Sequence, residues 1–192
     1  MKRPHSVLVV SGHTKGIDFV RTLLPPADFS PVVTAGSAGE AQRLMISATF
    51  DIIVIDTPLP DRHGYELAVD FAQSTQAGIM LMVRNDIFDL VAGKVESSGV
   101  LTVAKPISRQ IFYQDIKLLA ATRQRLAAAE IKNISLQEKM DEIRLVNRAK
   151  WILIDKEKMT EPQAHRYIEK QAMDLRVQRR DIAQNIITAH EG

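Results

Sequence analysis

The chain has 192 residues, of which 45% are apolar and 25% charged; this balance is typical of a globular protein and excludes a disordered or fibrous one. Lys and Arg number 25 against 23 Asp and Glu, a formal net charge of +2, so any contact with nucleic acid must come from a local basic surface. The lack of cysteine excludes disulfides, thiolate zinc sites and a cysteine nucleophile, and it favours a cytoplasmic location.

Five short, β-branched apolar segments recur in the first half of the chain, at residues 7–10, 31–35, 52–55, 79–83 and 100–103. All are far shorter than the roughly 18 apolar residues of a membrane span, and the first is too short for a signal peptide. Helix-length stretches separate them, which predicts an α/β domain with a parallel sheet covered on both faces. Unbroken apolar runs make the first, third and fourth strands central, whereas Pro31 and Thr34 make the second an edge strand.

After Pro106 the sequence predicts only helix. A seam with alternating spacings of three and four fits a coiled coil of about four heptads. Its members are Leu119, Thr122, Leu126, Ala129, Asn133, Leu136, Met140, Ile143 and Asn147. The pattern favours a homodimer with Asn133 fixing the register, while weak members such as Thr122 leave open a helix that leans on its own domain.

Two further helices are predicted in the tail. The long helix is expected to end near Ile154, and the next begins at Thr160, whose hydroxyl can cap it while Gln163 reaches back. A third helix carries residues 182–187. The predicted domains are therefore 1–118, a linker helix over 119–142, and a small three-helix domain over 143–192.

Candidate site residues lie where the predicted strands end, because ligands of open parallel sheets bind beyond the carboxyl ends of the strands. Those ends hold Ser11, Asp56, Arg84 and Lys105. Histidines in the neighbouring loops are expected to be solvated, so no metal centre is predicted from the residues alone.

Residues 1–118 resemble the receiver domain of bacterial two-component response regulators. The resemblance rests on Asp56 at the end of the third strand, on Pro60 and Gly64 after it, and on the Lys105-Pro106 pair. It implies a flavodoxin-like, five-stranded parallel fold. It also implies that Asp56 accepts a phosphoryl group from a histidine kinase and that Lys105 neutralises the phosphoryl oxygens.

Two departures from the receiver pattern affect this site. Ser11 and Gly12 stand where the family has the acidic pair that holds Mg²⁺, and Val83 stands in place of the hydroxyl residue of the switch. Asp56 alone is a poor magnesium cage. Two interpretations stay open: a phosphoacceptor with weak Mg²⁺ binding, or a fixed Asp56–Lys105 ion pair, in which Arg84 could occupy the metal position and pair with Asp56.

Residues 143–187 resemble the ANTAR domain, a three-helix RNA-binding module of transcription antitermination regulators. The resemblance rests on the segments 148–153, 159–164, 171–173 and 181–186 and on the spacing of their Ala-Lys, Thr-Glu and Ala-Met pairs. Trp151 stands where the family usually has glycine. Trp151 and Tyr167 are the tail's aromatic residues, and each could stack on an unpaired base or pack into a helical core.

Basic residues of the tail are candidates for contacts with RNA phosphates, against the simpler interpretation of a solvated face. They are Arg148, Lys150, Arg166, Lys170, Arg176, Arg179 and Arg180. The resemblance implies a regulator without enzymatic activity that binds stem-loops of a leader transcript as a dimer and so prevents a terminator hairpin from forming. It also implies control of this regulator by a histidine kinase or a sensor protein. Two alternatives stay open: a DNA-binding response regulator that reads sites through Arg179, Arg180 and Gln184, and an adaptor that binds only proteins.

Overall fold

The computed structural model describes residues 3–191. They form two compact units, which divide between Ala127 and Ala128. The elements of the first unit are β1 (His5–Ser11), α1 (Thr14–Leu23), β2 (Phe29–Ala35), α2 (Ala38–Ser47), β3 (Ile52–Asp56), α3 (Gly64–Ser74), β4 (Gly78–Arg84), α4 (Phe88–Val95) and β5 (Leu101–Lys105). Helix α5 (Arg109–Lys156) belongs to both units, and α6 (Glu161–Leu175) and α7 (Arg179–Glu191) complete the second. No helix within residues 3–191 is long and apolar enough to cross a membrane.

The first unit is built on a parallel sheet with the strand order β2-β1-β3-β4-β5, which confirms the predicted flavodoxin-like fold. All five residues of β3 are buried, as expected for a strand covered on both faces. Helices α1 and α5 cover one face through residues such as Val20 and Phe112. Helices α2, α3 and α4 cover the other through Ala41, Leu67 and Val95. The predicted edge position of β2 is also confirmed.

The loop that follows β3 is anchored to the start of α2. The carboxylate oxygens of Asp61 accept the backbone N–H groups of Ala38 and Gly39, each at 2.9 Å. These hydrogen bonds satisfy helix N–H groups that have no partner within the helix, and they lower the pKa of the Asp61 carboxyl. The loop that carries the family's Pro60 is thereby fixed beside the end of β3.

The second unit packs the last part of α5 against α6 and α7. Small buried residues, Ala149, Ala164, Ala172 and Ala183, share its core with Leu153, Ile168, Ile182 and Ile186. The first residue of the Ala-Lys pair and that of the Ala-Met pair, Ala149 and Ala172, are thus core positions. Gln163 reaches back as predicted, because its Oε1 accepts the backbone N–H of Thr160 at 2.8 Å.

None of residues 3–191 covers the middle of α5, since every residue from 128 to 141 is exposed. On the predicted seam, Leu136, Met140 and Ile143 are 49%, 54% and 59% exposed. The first seam member differs from expectation: Leu119 is half-buried in the core of the first unit, where it packs against Gly78. The start of α5 therefore leans on its own domain, and an uncovered seam begins only beyond that contact.

Candidate functional sites

Three of the predicted site residues meet at the carboxyl edge of the sheet. Ser11 and Asp56 are paired in the register of β1 and β3, and Asp56 is only 7% exposed. The Nζ of Lys105 lies 2.6 Å from Asp56 Oδ1, and the hydroxyl of Ser11 donates to Oδ2 at 2.9 Å. Lys105 also donates to the backbone carbonyl of Thr57. Both carboxylate oxygens are thus engaged by protein groups.

Arg84 does not join this cluster, so its expected pairing with Asp56 is wrong. Its guanidinium pairs instead with Asp86 at 2.6 Å, and both side chains are largely exposed, at 66% and 60%. Asp86 follows Arg84 by only two residues, so this ion pair forms with both groups still hydrated. Pairing with buried Asp56 would require Arg84 to lose its water, and Lys105 already supplies the positive charge there.

Helix α1 approaches the Asp56 carboxylate through Gly16, a residue that the sequence analysis did not single out. A Cβ atom at Gly16 would lie 2.2 Å from Asp56 Oδ2 and 2.5 Å from the Ser11 hydroxyl. Only glycine fits so close to the aspartate. The sequence could have indicated this contact, because a glycine within a predicted helix often marks a close approach of the backbone, and this one lies next to a candidate site.

The donor groups at this edge do not fit Mg²⁺. The ion prefers octahedral coordination by hard oxygens, including one or two carboxylates. Lys105 and Ser11 already occupy the two oxygens of the Asp56 carboxylate. Among residues 3–191, no group of three or more His, Cys, Asp or Glu side chains is placed to hold a metal ion.

The seven predicted RNA-contacting residues fall into two groups. Lys150 and Arg179 are engaged within the second unit: Lys150 lies 2.7 Å from Glu161, and Arg179 bridges Glu142 at 3.2 Å and Glu169 at 3.7 Å. The hydrogen bond from Lys150 lowers the pKa of the Glu161 carboxyl. These two cations connect α5, α6 and α7 to one another.

The other predicted cations lie at the surface. Arg148, Arg166, Lys170, Arg176 and Arg180 are all exposed. Within the described part of the chain, Arg166, Lys170, Arg176 and Arg180 form no ion pair. They belong to α6, to the residue that ends it and to the start of α7, so these four cations lie on neighbouring parts of the unit.

The two aromatic residues of the tail differ in placement. Trp151 is 70% exposed, so a position in the helical core is wrong for this residue. Tyr167 is 41% exposed and lines a cavity between the helices. Both rings therefore remain accessible to a ligand.

Comparison with known proteins identifies the second unit. Residues 135–187 match the ANTAR domain. The chain is 28% identical over 155 residues to the transcriptional regulatory protein PdtaR of Mycobacterium tuberculosis, covering 79% of this chain and 76% of that protein. It is 32% identical over 93 residues to the transcriptional regulatory protein AfsQ1 of Streptomyces coelicolor, covering 48% of this chain and 40% of that protein.

Solved structures identify the fold of the first unit. A signal receiver domain from Pseudomonas fluorescens matches with a TM-score of 0.60 at 18% identity, over 67% of this chain and 95% of that one. The chemotaxis response regulator CheY4 of Vibrio cholerae matches with a TM-score of 0.54 at 21% identity, over 61% of this chain and 99% of that one. The chain thus joins a receiver-like fold to a C-terminal segment that matches the ANTAR domain.

Proposed function

We propose that the protein is a transcription antitermination regulator that binds stem-loops of a leader RNA through its ANTAR domain. The observation that carries the proposal is the set of unpaired, exposed cations on α6 and α7 within that domain. Arg and Lys side chains without a protein counter-charge are the groups that neutralise RNA phosphates and release bound counterions. Their engaged neighbours Lys150 and Arg179 then stabilise the three-helix unit rather than contact RNA.

We propose that the protein acts as a homodimer held by the uncovered seam of α5. The exposed apolar side chains of Leu136, Met140 and Ile143 occupy a and d positions of the coiled coil. Asn133, at an a position, favours two helices and fixes their register. Two ANTAR domains are then presented to two stem-loops. Each small domain binds weakly, but binding of the first domain raises the effective concentration of the second domain at its own stem-loop, so the dimer binds more tightly than either domain alone.

We propose that the receiver unit works without phosphorylation. Lys105 and Ser11 already hold both oxygens of Asp56, and the donor set for Mg²⁺ is incomplete. A bound sensor protein is then the input, rather than a histidine kinase.

The proposed lack of phosphorylation has a direct test. Incubation of the full chain with acetyl phosphate and Mg²⁺ should leave its intact mass unchanged, because both oxygens of Asp56 are engaged by Lys105 and Ser11 and the residues at this edge bind the added metal poorly. An added phosphoryl group that is absent from the Asp56→Asn variant would overturn this part of the proposal.

RNA binding is tested by fluorescence anisotropy with the full-length protein at two salt concentrations. The probes are a tandem stem-loop RNA, a scrambled single strand and duplex DNA. We expect preference for the stem-loops and a loss of about tenfold or more when Arg166 and Lys170 are both changed to Ala, with a smaller dependence on salt.

Arg21→Ala with Arg43→Ala in the first unit is the matched control, since both side chains are exposed and the change removes the same charge outside the ANTAR domain. Equal affinity for all three probes, or equal loss in both double variants, would contradict the proposed RNA interface. Preference for duplex DNA would favour a DNA-binding regulator, and no binding at low salt would favour an adaptor.

A further inference from the structure

A cavity of about 460 Å³ opens between the helices of the ANTAR domain. Its size is within the roughly 300–1,000 Å³ of pockets that hold small organic groups. Leu153 of α5, Tyr167, Gln171 and Leu175 of α6, and Asn185 and Ile186 of α7 line it. All three helices contribute, so the cavity exists only in the folded unit.

The cavity combines an apolar floor with unused polar groups. Leu153 and Ile186 are buried, at 3% and 9% exposure, and form part of the floor, while the half-exposed Tyr167 stands at the opening. The side-chain amides of Gln171 and Asn185 have no hydrogen-bond partner among residues 3–191. Each amide offers one donor group and one acceptor oxygen.

Two cations of α6 directly precede residues that line the cavity, and the carboxylate of the lining has a partner. The carboxylate in its lining, Glu157, lies 3.5 Å from the ring of His190, whose Nδ1 lies 2.9 Å from the Ile186 carbonyl. Arg166 and Lys170 are neighbours of Tyr167 and Gln171 on α6 and are exposed. Phosphates held by these two cations would lie next to the opening.

We infer that this cavity receives one unpaired base of the RNA loop, an inference that rests on the proposed RNA binding. A base that leaves its stack can be covered by the ring of Tyr167, the usual way in which proteins grip bases of RNA loops. The amides of Gln171 and Asn185 then hydrogen-bond the edge of the base. Adenine fits best, since a carboxamide can pair with its N6 donor and N7 acceptor. The amides therefore read the base, and Arg166 and Lys170 hold the phosphates.

The test is selection from a pool of hairpin RNAs that share one stem and carry a fully randomised loop. Full-length wild-type protein is expected to enrich one base at one loop position. Gln171→Ala and Asn185→Ala should reduce that preference by about tenfold, with the fold checked by circular dichroism. Tyr167→Phe should keep the preference, because its ring still stacks, while Tyr167→Ala should weaken binding.

Two controls separate base reading from general affinity. Gln184→Ala removes a neighbouring surface amide of α7 outside the cavity lining and should change nothing. Arg166→Ala should weaken binding to all hairpins without altering the preferred base. If wild-type protein enriches a base and both amide variants keep the same preference, the inference is overturned while RNA binding stands. If wild-type protein enriches no hairpin, the proposed function itself fails.

Discussion

At the scale of single residues, the contact between Asp56 and Lys105 is expected to stabilise the first unit. Lys105→Met leaves the Asp56 carboxylate, whose side chain is 9% exposed, with only the Ser11 hydroxyl. A buried charge that loses its partner costs about 3 kcal/mol. We expect the first unit to lose that much stability in urea unfolding followed by circular dichroism.

A second variant shows whether the lost charge balance is the cause. Asp56→Asn combined with Lys105→Met removes both charges and should recover most of the stability, because a neutral amide needs no counter-charge. Equal stability of Lys105→Met and wild type would show that the pair contributes nothing. If the single and the double variant lose the same amount of stability, the cause is the lost packing of the aliphatic part of the Lys105 side chain and not the lost charge balance.

The same residues show how far a sequence can predict a site. Ser11, Asp56 and Lys105 are found in advance because they end neighbouring parallel strands, and strand ends share one edge of the sheet. The partner of Arg84 is not predictable in this way. The choice between Asp56 and Asp86 depends on side-chain direction and hydration, which spacing along the chain does not report. Exposure of Trp151 depends in the same way on how the helices pack.

At the scale of elements, the seam of α5 makes the sharpest prediction. Leu136→Lys places a charge at a d-type position and should convert the proposed dimer to a monomer, measured by sedimentation equilibrium. The ordered cores of both units should remain, because Leu136 belongs to none of the buried clusters of residues 3–191. Hydrophobic seam positions tolerate charge poorly, since the partner helix would bury it.

Ile131 provides the matched control on the same helix. It is 70% exposed and lies off the seam of threes and fours, so Ile131→Lys should leave the dimer intact. A monomeric wild-type protein, or dissociation of both variants alike, would contradict the proposed seam.

The apolar pattern predicts the long helix well, because the spacing of apolar residues along a helix depends only on nearby residues. The pattern cannot tell that Leu119 packs on Gly78 of its own sheet rather than on a second chain.

At the scale of the whole molecule, pairing of the ANTAR domains should decide affinity. We expect the dimer to bind an RNA with two stem-loops about 100-fold more tightly than an RNA with one, because the second contact becomes intramolecular. Leu136→Lys should abolish this advantage and leave the affinity for a single stem-loop unchanged. Anisotropy titration of both RNAs measures the difference. An advantage that persists in a monomeric variant would show that dimerisation is not its source.

The bare stretch of α5 between residues 128 and 141 has a further consequence for the life of the protein. Isolated helices of this length are marginal in water, so without a second copy this stretch would unwind often and offer its backbone to proteases. Lys132 and Lys139 lie within it. Chains that fail to find a partner would then be cut within this stretch of α5 and cleared, and the amount of regulator in the cell would follow its own assembly.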